Sequence, residues 1–202
     1  MELNGAQAVE SFPVEHALRA AEHAPGKRVV VFVNDADLLV HGADRFIETA
    51  RTRPDMLVVY VNTMVYPVVH SPTVPAPPDR TAAYGSGEIP FNIPCLAASC
   101  GAYYIARWTS LHTRRLAFSI VEALSDKRFS VIEVIAPCLM YYAKYLPIKT
   151  SIDRPKHMAR VVLDHGAPVN DLDLRRNSSI VVGIFRQHDH GNRSVHEDAP
   201  GR

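Results

Sequence analysis

Two short runs of β-branched and aliphatic residues, Val29-Val-Val-Phe-Val33 and Met56-Leu-Val-Val-Tyr-Val61, stand about one helix apart, and each ends abruptly in polar side chains: Asn34-Asp-Ala-Asp37 after the first, Asn62-Thr63 after the second. Runs this long without polar alternation suit strands buried on both faces of a sheet. Between them, residues 43–53 carry Phe46, Ile47 and Ala50 on what would be the inward face of an amphipathic helix. Strand, helix and strand in that order make a parallel pair joined by a crossover. Open parallel sheets take their ligands at the carboxyl ends of the strands, and both polar turns fall there.

The alternation continues along the chain. A helix over 14–24 is expected on Val14, Leu18 and Ala21, ended by Pro25-Gly26. Ile93–Cys100 reads as a helix stopped by Gly101, Ala102–Arg107 as a strand, and 112–125 as a helix with Leu116, Ile120, Val121 and Leu124 on one face. Ser130–Ala136, ended by Pro137, and Ile180–Phe185 read as strands, with a helix near 155–165 between them. The pattern predicts one α/β domain over residues 1–186, built on a doubly wound, mostly parallel sheet. Within it, residues 67–90, with Pro75-Ala-Pro-Pro78 and Gly85-Ser-Gly87, form a proline-rich arm that reads either as a lid or docking element or as a plain excursion. Residues 187–202, with His188, His190 and His196, read as a disordered tail.

Bulk properties exclude several classes of protein. A formal charge of +1 gives no electrostatic reason to expect a nucleic-acid partner. No apolar run is long enough to span a membrane, and Met1-Glu-Leu-Asn-Gly5 lacks a signal-peptide pattern, so a cytoplasmic protein is expected. Cys95, Cys100 and Cys138 form neither a disulfide framework nor a common metal spacing. No dinucleotide fingerprint, Walker loop or nucleophile elbow is present.

Chemistry therefore rests on the two turns. Asp35 and the Asn62-Thr63 pair could present oxygens to one hard cation, and a magnesium-bound diphosphate suits that arrangement. The same residues also read as turn or helix-start carboxylates and an ordinary strand-ending turn.

Further motifs carry a resemblance. Asn34-Asp-Ala-Asp37, Gly42-Ala-Asp-Arg45, Asn62-Thr-Met-Val-Tyr66, the stretch Pro90-Phe-Asn through Gly101-Ala and Ile105-Ala-Arg107, and Phe129-Ser-Val-Ile-Glu-Val-Ile-Ala-Pro-Cys138 follow one another over roughly residues 14–143. In order and content they resemble the thiamine-diphosphate-binding β subunit of the 2-oxoacid:ferredoxin oxidoreductases. The resemblance implies a magnesium ion held by Asp35, Thr63 (or Asn62) and the Val65 carbonyl, with Asn34, Ala36, Asp37, Asn62 and Tyr66 around thiamine diphosphate. It also implies oxidative decarboxylation of a 2-oxoacid, with other subunits as partners and a chain inactive alone. Cys138 corresponds to a cluster cysteine, but the family's other cluster cysteines have no counterpart here, so no iron–sulfur cluster is expected from this chain alone. Lys144, Lys149 and Lys156 offer either a basic surface for a carrier such as ferredoxin or a plain solvated face. Asn34 and Ala36 replace two glycines of the family's first turn, and the Thr-Gly-Gly-Gln after its tyrosine is missing, so the motif is degenerate. The alternative is a non-catalytic paralogue that keeps the fold as a docking or regulatory scaffold.

Overall fold

The computed structural model describes residues 13–23, 26–40, 42–52, 54–63, 91–138, 161–172, 174 and 180–185. In chain order the elements are α1 (Pro13–His23), β1 (Val29–Asn34), a π-helical turn (Ala36–Val40), α2 (Ala43–Thr52), β2 (Met56–Asn62), α3 (Ile93–Ser99), β3 (Tyr104–Thr109), α4 (Thr113–Ser125), β4 (Ser130–Ile135), β5 (Val161–Leu163), a 3-10 turn (Val169–Leu172) and β6 (Ile180–Ile184). The sheet order is β1-β2-β4-β3-β6-β5. The first four strands run parallel to one another, β6 runs antiparallel to β3, and β5 lies parallel to β6.

Side-chain alternation divides the core into two layers. Val31, Val33, Met56, Val58, Tyr60, Ile105 and Val131 face α1, α2 and α3, which contribute Val14, Phe46, Ile93 and Ala97. Leu57, Val59, Ala106, Trp108, Ile132 and Val134 face α4, with Ala123 at its centre. Helices thus cover both faces, as expected for a doubly wound sheet. Gly101, at φ 89°, ends α3 in the left-handed region that favours glycine.

β1 is an edge strand, so its second face is not closed: Phe32 is 63% exposed, because α4 packs over β3 and β4. Ile47 points outward from α2 while Phe46 is fully buried. On α4 the buried residues are Ser119 and Ala123, with Leu116, Ile120 and Leu124 packed against the core, and Val121 is exposed. α4 buries a narrower stripe than its apolar content suggests. β3 begins two residues later than expected, because Ala102 and Tyr103 belong to the turn after Gly101. In place of a helix at 161–163 there is strand β5, whose Val-Val-Leu sequence pairs with β6. The arm at 67–90, the tail, Val65, Tyr66, Lys144, Lys149 and Lys156 lie outside the described residues.

Candidate functional site

The carboxyl ends of β1 and β2 are adjacent, with Asn34 level with Val61 in the parallel register. This brings Asp35, 3% exposed, against the end of β2. Its Oδ2 accepts from the Thr63 backbone N–H at 2.9 Å and from the Thr63 hydroxyl, and its Oδ1 accepts from the Tyr60 hydroxyl at 2.5 Å. Asp35 and Thr63, separated by one helix and one strand in sequence, therefore meet as the parallel arrangement requires.

The turn bearing Asp35 is organised by its own side chains. Asn34 Oδ1 accepts from the Asp37 backbone N–H at 3.1 Å, and Asp37 Oδ2 accepts from the Asn34 backbone N–H at 3.4 Å. This reciprocal pair is the logic of a capping box, applied to the start of the π-helical turn. Asp37 is thus engaged in holding the turn. Ala36 lies in that turn as well. Behind it, Gly42 is required for contact: a Cβ there would lie 2.5 Å from the Asp37 carbonyl oxygen.

Asn62 is oriented differently from Thr63. Its Nδ2 donates to Glu133 Oε1 at 2.8 Å, and Glu133 Oε2 in turn accepts from Arg107 Nε at 2.6 Å. Arg107 Nη1 donates to the Leu172 carbonyl at 2.8 Å, while its buried Nη2 has no partner among the described residues. The backbone after β2 is fixed by an extension of β4: the Ala136 N–H donates to the Asn62 carbonyl at 2.9 Å and the Cys138 N–H to the Thr63 carbonyl at 3.1 Å. Cys138 thereby reaches the site through its backbone.

Tyr60, Glu133 and Arg107 had not been identified as site residues from the sequence. Their signal was a polar or charged group inside an otherwise apolar parallel strand: Val-Ile-Glu-Val-Ile and Tyr-Ile-Ala-Arg-Trp each hold one charge amid hydrophobes. Such a charge needs a buried partner.

The donor set is suited to a hard divalent cation. Magnesium takes one or two carboxylates and completes its shell with phosphate oxygens and water, and adjacent ligands on an octahedral centre stand about 3 Å apart. Asp35 and Thr63 present a carboxylate and a hydroxyl in direct contact. Among the described residues no three His, Cys, Asp or Glu side chains gather around one point. Likewise, no helix among them is long and apolar enough to cross a membrane.

The two turns lie at the carboxyl edge of the parallel strands, and the sequence places the chain in a defined class. The chain belongs to the thiamine pyrophosphate enzymes, C-terminal TPP-binding domain family, whose model matches residues 7–134. Its curated relatives include the 2-oxoglutarate synthase subunit KorB of Methanocaldococcus jannaschii, 32% identical over 179 residues, 86% of this chain and 66% of that protein. Subunit beta of 2-oxoacid:ferredoxin oxidoreductase 2 from Aeropyrum pernix is 27% identical over 135 residues, covering 65% and 43% of the two chains. Among solved structures, the 2-oxoglutarate:ferredoxin oxidoreductase from Magnetococcus marinus, determined with 2-oxoglutarate, coenzyme A and succinyl-CoA bound, shares the fold. The TM-score is 0.63 at 20% identity, over 87% of this chain and 62% of that one. The chain thus spans about two-thirds or less of the length of these relatives.

Proposed function

We propose that this chain acts as a β-type subunit of a 2-oxoacid:acceptor oxidoreductase, contributing the magnesium and thiamine-diphosphate site for oxidative decarboxylation. The observation that carries this reading is the contact between the Asp35 carboxylate and the Thr63 hydroxyl at the ends of adjacent parallel strands, in a chain of the TPP-binding family. Asp35 and Thr63 would hold the magnesium ion, with the Val65 carbonyl as a third protein ligand. Asn34 and Asp37 hold the first turn in shape by their mutual hydrogen bonds and so take over the role of a glycine-built turn. Ala36, Asn62 and Tyr66 complete the proposed surround of the cofactor. When bound, thiamine diphosphate supplies the electron sink for loss of carbon dioxide from a 2-oxoacid. The chain works in the cytoplasm with further subunits, which complete the active site and carry the electron path toward an acceptor such as ferredoxin. The names of the relatives support this assignment.

A second reading has one observation in its favour. Both oxygens of Asp35 already receive protein donors, from Tyr60 and from Thr63, as in a carboxylate retained only for structure. In that case the chain is a non-catalytic scaffold of the same complex. The discriminating experiment measures thiamine diphosphate by thiochrome fluorescence in the complex that co-purifies with the tagged chain, beside its Asp35→Ala variant. About one cofactor per chain, lost in the variant with assembly intact, supports the metal site. No cofactor, or a content indifferent to Asp35, establishes the scaffold.

A further inference from the structure

Two polar clusters meet at the carboxyl end of β2 and together draw on residues in or directly after all four parallel strands. In the first, Asp35, just after β1, accepts from Tyr60 of β2 and from Thr63, just after β2; in the second, Asn62 of β2 donates to Glu133 on β4, which holds Arg107 on β3, and Arg107 ends on the Leu172 carbonyl. Asn62, Glu133 and Arg107 are each 0% exposed. A buried ion pair is a poor device for stability alone, since well-packed hydrophobic replacements are often neutral or stabilising. Retained beside the ligand end of the sheet, it marks a local conflict of the kind that accompanies function.

The contacts indicate what that function is. Glu133 grips the amide of Asn62, the residue immediately before Thr63, while β4 grips the carbonyls of both. Arg107 fixes the far oxygen of Glu133 and is itself anchored on the 3-10 turn. We propose that the Arg107–Glu133 pair is the positioning device of the cation site: it locks Asn62, and with it the end of β2, so that the Thr63 hydroxyl stays beside Asp35. Arg107 and Glu133 are positioning residues and touch no ligand. This inference rests on the reading that Asp35 and Thr63 hold a divalent cation.

The test uses the complex that co-purifies with the tagged chain, with thiamine diphosphate present and manganese(II) as the probe, followed by electron paramagnetic resonance. Fluorescence of Trp108, the single tryptophan of this chain, reports folding of each variant chain in parallel. In the double variant Arg107→Met/Glu133→Leu no charge is left buried, so the chain stays folded with a midpoint lowered only by the Asn62 amide's lost acceptor, while the manganese Kd rises about 10–100-fold, as for groups that orient metal ligands. Asn62→Leu, which leaves the ion pair in place, raises Kd by a similar factor. The triple variant adds nothing further, because the three side chains act along one path. A folded double variant with unchanged Kd overturns the proposal, as do fully additive losses. Should the double variant fail to fold, Asn62→Leu decides alone, and an unchanged Kd there overturns it. If the natural complex binds no manganese, or binds it equally well after Asp35→Ala, the cation-site reading itself fails and takes this proposal with it.

Discussion

Replacing Glu133 with alanine removes one half of a fully buried ion pair and leaves the other half in place. Arg107 would keep its bond to the Leu172 carbonyl and lose the carboxylate 2.6 Å from its Nε, at a position with no access to water. Its Nη2 has no partner among the described residues. Breaking a buried pair in this way costs about 3–5 kcal/mol, most of it from the charge left behind. With an m-value of roughly 2 kcal/mol per molar urea for a domain of this size, the unfolding midpoint should fall by about 1.5–2.5 M. Trp108 is a suitable reporter: it sits beside Arg107 in β3, 1% exposed, with its indole N–H on Ser119 Oγ at 2.7 Å. A midpoint shift below about 0.5 M, or roughly 1 kcal/mol on the same m-value, would refute the reasoning. It would mean that water or a rearranged 3-10 turn reaches Arg107 and that the pair is not sealed.

Three further outcomes are expected. Tyr60→Phe removes a donor to the Asp35 carboxylate and should cost about 1.5–3 kcal/mol in urea unfolding, the range for a hydrogen bond to a charged group; a neutral result would mean that the hydroxyl is not bound in solution. Gly42→Ala drives a methyl group into the Asp37 carbonyl and should destabilise by about 1–3 kcal/mol as the Ala36–Val40 turn shifts, measurable by thermal unfolding. His112, beside Thr109 Oγ1, is held below the usual histidine range by burial, with repulsion from Arg115 adding to it. Its folded value lies under its unfolded one, so the unfolded chain takes up the proton first; stability is complete above a pH of about 6.5 and declines as pH falls below it toward the folded value. His112→Phe should flatten that part of the stability–pH profile, and an unchanged slope would contradict the assignment.

Most of the sheet was legible in the sequence because its strands are locally unambiguous. Met56–Asn62 is a strand with the expected bounds, and the apolar runs at 29–34, 130–135 and 180–184 stand within a residue or two of their predicted ends. The errors fall where tertiary context outweighs local pattern. Val161–Leu163 becomes a strand only because β6 offers it an edge. Phe32, Ile47 and Val121 have apolar side chains but face away from the helices and strands that would have covered them. The candidate site divides in the same way. Asp35 and Thr63 could be named from the acidic turn and the strand-ending pair, each being a local signal. Tyr60 could not, since a tyrosine within a buried strand looks like any other core aromatic until the Asp35 carboxylate is found against its hydroxyl.

The sequence by itself determined the alternation of strands and helices, the two polar turns at the strand ends, and the membership of a cofactor-binding family. All of these follow from residue type and short-range order. Only the tertiary structure decided which buried polar groups meet. Glu133 stands 71 residues from Asn62 and 26 from Arg107 along the chain, and the sheet order β1-β2-β4-β3 makes all three neighbours. Periodicity fixes which face of a strand a side chain occupies, because it repeats every two residues. It carries nothing about which strand lies alongside, and on that choice depend both the pairing of the buried charges and the shape of the site beside them.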